Sequence, residues 1–491
     1  MNLNKDNNQN NKANNKTTIT TREEDFSQWY QDIISVADLA DHSCVKGSMI
    51  IKPYGYAIWE MIQKTLDKMI KEKEVDNMYF PLLIPMSLLA KEADHIEGFA
   101  PEIAVVTYAG GEKLEESYAI RPTSETIIYH TFKDWIQTYR DLPLKINQWA
   151  NVMRWEKRTK LFLRTTEFLW QEGHTVHTTL EEADSFAREM LEVYRVLAED
   201  YMAIPVLAGI KSDPERFAGA EKTYTIEAMM QDGKALQSGT SHNLGDHFAK
   251  AFDITYTNCD NLPEHAYQTS WGLSTRIIGG LIMTHSDDHG LVLPPNIAPI
   301  QVIIACLLGK SDVDNSKIIH ESQKIKEQLE KEGYRVKIDS SDLRIGEKFY
   351  KWEKKGVPLR IEIGNRELAN SQVTIFRRDL MAKTSVGLLD IIDQIRILLP
   401  AIQDNLFTKA SGHRTARTVP ANTWVEFCKL IEEGNFVIAS YDGQATTEAK
   451  IKELTKATTR CQPFGMDQSN LGKCILTGGE ATTRFVFAKS Y

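Results

Sequence analysis

Arginine and glutamate side chains that could bind a phosphate occur together in residues 149–174, WANVMRWEKRTKLFLRTTEFLWQEGH. An apolar strand predicted from Ile146 to Trp155 carries Arg154, and Glu156 follows it directly. The loop after it is rich in cations: Lys157, Arg158, Lys160 and Arg164. Arginine suits phosphate oxygens because its planar guanidinium donates two parallel, permanently charged hydrogen bonds. The pattern predicts a hairpin whose tip binds a polyanion; a basic hairpin on a solvated sheet edge is the alternative.

Two further stretches favour the polyanion site. Residues 117–130, SYAIRPTSETIIYH, place Thr123 and Glu125 just before a helical run, so their side chains should cluster near a helix N-terminus. Residues 267–295, YQTSWGLSTRIIGGLIMTHSDDHGLVLPP, contain a turn of small residues followed by Arg276 on an apolar helix. Together the three stretches supply acceptors for an amine and cations for phosphates.

A glycine loop for phosphates is absent from the sequence. The only candidate, Gly309-Lys310-Ser311, has Ile304 where the first glycine of a P-loop must stand. No dinucleotide fingerprint occurs either. Any nucleotide must therefore be held by arginine side chains on an antiparallel sheet.

These stretches resemble the sequence motifs of class II aminoacyl-tRNA synthetases. Arg154-Trp155-Glu156 with its loop is similar to the second motif, and the segment Trp271–Arg276 is similar to the third. Pro81, in NMYFPLLIP after a long helix, matches the first motif, which forms the dimer interface of that class. The details RPTSE, FLWQEGH, SGTSH and SWGLSTR resemble prolyl-tRNA synthetases of the archaeal and eukaryote-like type. The resemblance extends from about residue 22 to Tyr491.

The resemblance implies a two-step reaction. Proline and ATP would give prolyl-adenylate and pyrophosphate, and the prolyl group would then pass to the terminal ribose of tRNA(Pro). It implies catalytic roles for Arg154, Glu156 and Arg276. It places proline against Thr123, Glu125, Arg154, Trp170, Glu172 and His242. It places ATP against Arg154, Glu156, Arg164, Thr165, Gln237, Thr240, Ser274 and Arg276, with Mg²⁺ near Gln237. Ser238 and Thr166 depart from the family pattern, which usually has Gly and Arg, and this puts the affinity for the nucleotide in doubt.

The periodicity of the chain divides it into segments that must position these residues. Residues 1–18 are Asn/Lys-rich and are expected to be disordered. Residues 19–295 predict an α+β catalytic domain with an antiparallel sheet. Strands then alternate with helices in residues 296–404, which predicts an α/β domain with a largely parallel sheet and a final helix at about 384–404. Residues 405–491 predict a small α/β C-terminal domain.

Two of these segments carry more detailed predictions. An amphipathic helix is expected over residues 180–201, with Thr179 and Glu182 as a capping box. In the family, residues 296–404 correspond to the anticodon-binding domain. Its RNA-binding face could contain six basic residues, although each could equally lie on a solvated charged surface: Lys348, Lys351, Arg360, Arg366, Arg377 and Arg378.

Composition limits the classes of protein that are possible. The hydrophobic share of 42% and the charged share of 25% are those of an ordinary soluble protein. No apolar run approaches the roughly 20 residues that a membrane span needs, and the N-terminus has no signal-peptide core. A cytoplasmic location is therefore expected. The net charge of −9 argues against bulk attraction to nucleic acid, so a tRNA partner has to be argued from local sites.

Metal binding by cysteine or histidine is not expected. The six cysteines contain no C-x-x-C pair, which indicates reduced thiols rather than disulfides. His242 and His247 lie close together but lack a third nearby ligand, and His242 suits a substrate pocket better. Family members often bind zinc through four cysteines in the C-terminal domain. Here Cys461 is not at a ligand position and Thr477 stands opposite Cys474, so no zinc is expected.

Three further expectations concern assembly and function. The first motif implies a homodimer. Only about sixty residues separate His177 from Gln237, which leaves no room for the editing domain that some related enzymes carry there. Two other functions remain open: a non-catalytic paralogue that binds RNA or a regulatory partner, and an amide ligase that activates another carboxylate without tRNA. The first is disfavoured because Glu125, Arg154 and Arg276 are all present, and the second would not need residues 296–400.

Overall fold

A computed structural model describes residues 18–90 and 103–491 of the chain. The disordered tail expected for residues 1–18 therefore lies, apart from Thr18, outside the described residues. The helices are α1 (Phe26–Val36), α2 (Pro53–Lys71), α3 (Met86–Leu89), α4 (Glu125–Trp135), α5 (Leu180–Val196), α6 (His247–Phe252), α7 (Arg276–His285), α8 (Asp312–Lys331), α9 (Ile345–Lys354), α10 (Asn365–Ala369), α11 (Ile391–Ala416), α12 (Trp424–Glu432) and α13 (Ala445–Thr455).

The strands belong to several sheets. Those before the α/β domain are β1 (Ala40–His42), β2 (Met49–Ile51), β3 (Asp76–Asn77), β4 (Leu83–Pro85), β5 (Ala104–Ala109), β6 (Glu112–Ile120), β7 (Leu144–Met153), β8 (Glu167–His177), β9 (Val206–Ile210), β10 (Lys222–Met229), β11 (Ala235–Gly245), β12 (Thr255–Thr257), β13 (Pro263–His265) and β14 (Tyr267–Ser274). The later strands are β15 (Val302–Leu307), β16 (Val336–Asp339), β17 (Leu359–Gly364), β18 (Gln372–Arg377), β19 (Ala382–Gly387), β20 (Thr418–Pro420), β21 (Phe436–Tyr441), β22 (Thr458–Pro463) and β23 (Thr483–Ala488).

The predicted antiparallel catalytic sheet is confirmed. Strands β9, β10, β11, β14, β8 and β7 are neighbours in that order and all antiparallel, and β3 adds a parallel edge strand. One face is covered by α5, whose buried Ala187, Met190 and Tyr194 pack in the main core. Gly173 is required here because a Cβ atom would lie 2.0 Å from the Trp271 ring. The opposite face of the sheet remains open to form a site.

Helix α5 differs in two details from the prediction for residues 180–201. The α-helix ends at Val196 and continues as one π-helical turn, Leu197–Tyr201. The Thr179 hydroxyl accepts a hydrogen bond from Glu182 N at 3.1 Å, as expected of an N-cap. The Glu182 carboxylate, however, accepts from the hydroxyl of Thr178 at 2.8 Å rather than returning to Thr179. The predicted capping box is therefore only half formed.

The α/β domain has a mixed sheet rather than the largely parallel one predicted. The strand order is β16-β15-β17-β18-β19, in which β15 pairs in parallel with β16 and β17. The ladders from β17 to β18 and from β18 to β19 are antiparallel. The helix predicted at 384–404 was placed too early, because residues 382–387 form β19 and α11 runs from Ile391 to Ala416. Helix α11 thus passes through the predicted boundary between residues 404 and 405.

The C-terminal domain extends the catalytic sheet. Its strands follow the order β20-β21-β23-β22, and β22 pairs antiparallel with the catalytic strand β9 to complete an eleven-stranded sheet. At the junction, Gln462 and Pro463 lie opposite Ile210 and Gly209. Gly209 permits this approach because a Cβ atom there would lie 2.2 Å from the Gln462 carbonyl oxygen. The two domains therefore share one hydrogen-bonded sheet.

Candidate active site

The open face of the catalytic sheet contains a cavity of about 280 Å³. Alternate residues of a strand share a face, so Glu172 and His174 of β8 lie next to Gly272 and Ser270 of β14. His242 of β11 pairs with Ser270 on the other side. The cavity is lined by Thr123, Glu125, Arg154, Phe168, Trp170, Glu172, His174, Glu215, Phe217, Thr223, Gln237, Ser238, Gly239, Thr240, His242, Ser270, Trp271, Gly272, Leu273, Ser274 and Arg276.

A second cavity, of about 220 Å³, adjoins the first and shares several lining residues with it. It is lined by Arg154, Glu156, Phe162, Leu163, Arg164, Thr165, Phe168, Ser274 and Arg276. All thirteen residues predicted for the proline and ATP sites line one or both cavities. The structure thus brings together side chains from the three separated stretches of the sequence.

Arg154 lies where the two cavities meet. Its Nε donates to the Pro122 carbonyl oxygen at 2.9 Å, which ties β7 to the segment before α4. The guanidinium carbon lies 5.6 Å from the centre of the Phe168 ring and 5.4 Å from the Trp170 ring. These contacts hold the side chain by cation–π attraction. Arg154 is therefore preorganised to face an anion between the cavities.

A network of carboxylates lies at the N-terminus of α4. The Thr123 hydroxyl donates to the Glu125 carboxylate. Ser124 Oγ and Gln148 Nε2 donate to Glu172 Oε1 at 2.5 and 2.8 Å, and His174 Nε2 lies 3.0 Å from Glu172 Oε2. Both oxygens of Glu172 thus have partners within the protein. This arrangement suits Glu172 to orient its neighbours, while Thr123 and Glu125 offer acceptors for an ammonium group.

An imidazole and two aromatic rings form the walls of the first cavity. The rings of His242 and Phe217 are stacked, with centroids 4.4 Å apart and planes at 26°. Thr223 Oγ1 lies 3.0 Å from His242 Nδ1 and accepts from Phe217 N at 3.0 Å. Burial lowers the pKa of His242 to about 4, so the ring is neutral at pH 7. Together with Trp170, these rings make apolar walls suited to a small hydrophobic group.

The second cavity is cationic. Arg276 Nε donates to the Leu163 carbonyl oxygen at 3.1 Å, and Arg164 lies 3.9 Å from the Glu156 carboxylate. Burial, and then the nearby charges of Arg154 and Arg164, lower the pKa of Arg276 to about 10. An anion placed between these three guanidinium groups would relieve their mutual repulsion. The arrangement can therefore bind phosphate groups.

The two residues that depart from the family pattern, Ser238 and Thr166, lie in different places relative to the cavities. Ser238 lines the first cavity, and its hydroxyl donates to the Leu236 carbonyl oxygen at 3.1 Å. Thr166 lines neither cavity. It is buried beside Gly47, whose carbonyl accepts a hydrogen bond from Thr166 N at 2.8 Å. The Thr166 carbonyl oxygen accepts a hydrogen bond from Arg154 N at 2.8 Å, so Thr166 lies beside Arg154, and its effect on nucleotide affinity stays a prediction.

Sequence reasoning did not select several lining residues. His174 follows Glu172 by two positions, so the alternation of a strand could have found it. Phe217 is the only large apolar residue between Ile210 and Tyr224, which is a usable signal. Ser270 gives no such signal. Its hydroxyl is buried in the cavity floor without a hydrogen-bond partner among the described residues, so it is available to a ligand.

The proposed basic face of the α/β domain is wrong for three of its six residues. Arg360 is buried and donates to Glu362 and Glu353 at 2.9 and 2.8 Å. Arg378 is buried against Asp287, and Lys348 is buried with its Nζ 2.8 Å from the Cys306 carbonyl oxygen. Burying a charge requires a partner, which these residues find inside the protein. Lys351, Arg366 and Arg377 remain at least partly exposed.

No metal centre is evident in the described part of the chain. Residues 18–90 and 103–491 contain no cluster of three or more His, Cys, Asp or Glu side chains that could hold an ion. His247 is exposed, with its Nδ1 3.2 Å from the Gly219 carbonyl oxygen. All six cysteines lie in the described ranges, and none of them forms a disulfide. Likewise, no helix in these ranges is long and apolar enough to cross a membrane.

Comparison with known proteins decides the family. Curated relatives named proline–tRNA ligase include proteins of Porphyromonas gingivalis (52% identical) and Bacteroides fragilis (53%), with 96% of this chain and 99% of each relative aligned. A protein of Clostridioides difficile named proline–tRNA ligase 2 is 52% identical over 96% of this chain and 98% of its own length. The chain belongs to the prolyl-tRNA synthetase family. It is therefore a class II aminoacyl-tRNA ligase.

Family models match all three parts of this synthetase. The class II core domain model for the G, H, P, S and T enzymes matches residues 108–285, and the anticodon-binding domain model matches residues 301–398. The model for the prolyl-tRNA synthetase C-terminal domain matches residues 424–491. The predicted order of catalytic, anticodon-binding and C-terminal domains is confirmed. The relatives named above are bacterial proteins, so the archaeal and eukaryote-like type within the family stays a prediction.

Proposed function

We propose that the first cavity binds proline and that ATP extends from it across Arg154 into the second cavity. The observation that carries this proposal is the continuity of the two cavities. One has apolar walls and carboxylate acceptors, and the other is enclosed by three guanidinium groups. An amino acid and a nucleotide bound in this way would meet at Arg154. The reacting carboxylate and the α-phosphate would then lie beside the same guanidinium.

Each residue of the amino-acid pocket has a proposed role. The secondary ammonium of proline would donate to Thr123 and Glu125. The pyrrolidine ring would lie between Trp170 and the ring of His242, which is backed by Phe217. Glu172, held by Ser124 and Gln148, would orient this network rather than bind through a free oxygen. A rigid pocket of this kind positions the proline carboxylate for attack without spending binding energy on ordering the site.

The nucleotide roles follow from the cation positions. Arg154 would bind the α-phosphate, and Arg276 would bind the terminal phosphates and the face of the adenine. Further contacts would come from Glu156, Arg164, Thr165, Gln237, Thr240 and Ser274. The nucleophile is the substrate's own carboxylate, so the protein accelerates the reaction by positioning and by stabilising charge on the phosphate oxygens. This step does not need a general base from the protein.

Mg²⁺ is compatible with the oxygen donors near the predicted site. This ion is usually held by substrate phosphates, waters and one or two protein oxygens. Gln237 supplies an amide oxygen, whereas Glu227, opposite it on β10, is occupied by Lys211 and Arg460. We therefore propose that Gln237 and the phosphates of ATP would hold Mg²⁺. When bound, the ion would neutralise phosphate charge and orient the departing pyrophosphate.

The second step and the wider assembly are also proposals. The prolyl group would pass to tRNA(Pro), whose anticodon would contact the α/β domain on basic residues that are at least partly exposed, Lys351, Arg366 and Arg377. The free cysteines are consistent with a location in a reducing compartment, the cytoplasm. The archaeal and eukaryote-like type is supported by the lack of an inserted editing domain between the second and third motifs. Residues 178–236 are fully described and contain α5, β9 and β10 but no further domain.

One experiment tests the central proposal. Pyrophosphate exchange should be measured with each of the twenty amino acids, followed by aminoacylation of tRNA(Pro). Strong exchange with proline, a weaker signal with alanine and none with larger residues is the expected pattern. Strongest exchange with an amino acid other than proline, or exchange with none, would contradict the assignment of the first cavity to proline.

A further inference from the structure

The loop between β9 and β10, residues 211–221, forms part of the wall of the amino-acid pocket. It carries Glu215 and Phe217, both of which line the first cavity. Phe217 stacks on His242 and is the contact through which the loop shapes this wall. The loop begins where β9 ends, at the strand that pairs with β22 of the C-terminal domain. Phe217 N also donates to Thr223 Oγ1 at 3.0 Å, so the position of Phe217 depends both on this bond and on how the start of the loop is held.

Ser212, at the start of this loop, is bonded to the C-terminal domain. Its buried hydroxyl donates to Glu448 Oε2 at 2.9 Å and lies 2.8 Å from Thr459 Oγ1. Thr459 Oγ1 donates to the same carboxylate oxygen at 2.9 Å, and the Tyr441 hydroxyl donates to Glu448 Oε1 at 2.5 Å. Glu448 is thus a buried carboxylate satisfied by three hydroxyl groups. Only one of them belongs to the catalytic domain.

A buried ion-pair cluster holds the residue before Ser212. Lys211 Nζ donates to Glu227 Oε1 at 2.8 Å, and Arg460 of β22 donates to Glu227 Oε2 at 2.8 and 3.1 Å. Burial alone would raise the pKa of Glu227, but the charges of Arg460 and Lys211 outweigh it and lower the pKa. The C-terminal domain therefore contacts Ser212 directly, and it is linked to Lys211 through Glu227 of the catalytic strand β10. Hydrogen bonds to a buried carboxylate are stronger than those between neutral groups.

The rest of the loop is held mainly by contacts within the catalytic domain. Arg216 NH1 donates to the Glu221 carbonyl oxygen at 2.8 Å, a bond within the loop itself. Lys452 of α13 lies 3.9 Å from Glu215, but its side chain is 63% exposed, so this pair adds little. Ser212 is thus the buried hydrogen-bond contact of the loop with the C-terminal domain, whereas Phe217 N and Glu221 N bond to Thr223 Oγ1 and the Asn243 carbonyl oxygen of the catalytic sheet. A plain packing contact would not place four hydroxyl and carboxylate groups within hydrogen-bond distance at this point.

We propose that Glu448 is a positioning residue for amino-acid binding. Through Ser212, the C-terminal domain holds loop 211–221 so that Phe217 backs His242. The inference rests on the proposed function, because it takes the His242 end of the cavity to be the proline site. Loss of this hold weakens binding of the amino acid and leaves the nucleotide end, with Arg164 and Arg276, unchanged. The C-terminal domain thus contributes to substrate binding through side-chain contacts within the protein.

The test compares Michaelis constants for proline and ATP in pyrophosphate exchange. Ser212→Ala and Glu448→Ala should each raise the KM for proline about tenfold, the effect expected from losing a hydrogen bond to a charged group. The KM for ATP should change less than twofold. Glu448→Gln, which keeps an acceptor oxygen, should recover part of the loss. The double variant should resemble the single variants because both remove the same contact.

The controls separate this inference from its alternatives. Glu453→Gln alters an exposed carboxylate of the same helix, paired with Lys450 at 2.9 Å, and should leave both KM values unchanged. Ser212→Ala removes one hydroxyl, so it keeps the test valid if Glu448→Ala fails to fold. An unchanged KM for proline in Ser212→Ala, or an equal rise in the KM for ATP, would overturn the inference. Absence of proline-dependent exchange in the unaltered protein would instead overturn the proposed function.

Discussion

The Asp287 carboxylate accepts two hydrogen bonds from the Arg378 guanidinium, at 2.6 and 2.7 Å. This pair joins the catalytic domain to the anticodon-binding domain just after α7, the helix that begins at Arg276. Arg378 also donates from Nε to the Glu353 carbonyl oxygen at 3.0 Å, so its side chain is held from both domains. The anticodon-binding domain is therefore connected through Asp287 to the helix that carries Arg276, at the end of the site proposed to bind ATP.

Asp287→Ala should destabilise the protein by about 3 kcal/mol, because it leaves the buried Arg378 charge without its partner. Urea denaturation at pH 7 measures this difference in the free energy of unfolding. Asp288→Ala is the matched control. Its pair with Arg22 is about one-third exposed on both sides, and its loss should cost about 0–1 kcal/mol. Equal losses in the two variants would contradict the importance given to the buried pair.

The stability difference should also depend on pH. Burial alone would raise the pKa of Asp287, but Arg378 outweighs it and the pKa is lowered. The stabilisation is therefore fully present above the unfolded-state pKa of about 3.9 and is lost as pH falls through the folded-state value. The difference in unfolding free energy between the original protein and Asp287→Ala should stay constant down to about pH 4 and shrink at lower pH, as the pH approaches the lowered folded-state pKa. A difference that disappears above pH 4, or that stays the same well below it, would contradict this account.

Arg154→Ala should abolish amino-acid-dependent pyrophosphate exchange while leaving the fold intact. Loss of one preorganised donor to a developing negative charge costs about 3–4 kcal/mol, or a factor of 10²–10³ in kcat. Arg158→Ala is the control, because it removes the same charge from an exposed position of the same hairpin that lines neither cavity. Near-normal exchange in a folded Arg154→Ala protein would contradict the proposed role of Arg154.

Zinc should be absent from the purified protein. Cys461 is buried within β22, Cys474 lies in the segment between β22 and β23, and Cys428 lies on α12. A closed tetrahedral site needs four ligands, and the cysteine positions that would complete it hold other residues. Elemental analysis should find far less than one zinc per chain, and chelators should not change the melting temperature. About one zinc per chain would overturn this prediction.

The protein should be a homodimer in solution. The segment around Pro81 exposes large apolar side chains, with Tyr79 71% and Leu83 40% accessible. Exposed apolar residues grouped in this way are typical of contact surfaces. Light scattering at micromolar concentration should give twice the mass of the chain, and Leu83→Glu should shift it toward the monomer. Val313→Glu, at an exposed site on α8, is the control. A monomeric original protein would count against the prediction.

The site could be predicted from the sequence better than the contacts between domains. Arg154 and Arg276 lie in motifs on elements that the antiparallel sheet brings together, so their proximity follows from local patterns. The pairing of β22 with β9 uses main-chain groups and leaves no mark in the side-chain pattern. Arg378 looked like a surface cation because its partner, Asp287, is 91 residues away in the sequence. Such long-range pairs are visible only once the chain is folded.

The last prediction concerns alanine. The rings of Trp170, His242 and Phe217 can exclude residues larger than proline by steric clash, but alanine is smaller and enters freely. Each missing methylene discriminates by only about 1–3 kcal/mol, or roughly 10–200-fold. The protein should therefore form some alanyl-tRNA(Pro), and alanine should support weak pyrophosphate exchange.

Correction of this product should require a separate protein. Residues 178–236 contain α5, β9 and β10, and within this fully described segment no further domain is present to supply a hydrolytic site. Preformed alanyl-tRNA(Pro) should therefore lose its alanine at the buffer rate when the protein is added, as prolyl-tRNA(Pro) does in the parallel control. Deacylation of the alanyl form well above that rate, with the prolyl form stable, would show an editing activity elsewhere in the chain. If the amino-acid pocket admits alanine as predicted, faithful translation would depend on hydrolysis by another protein.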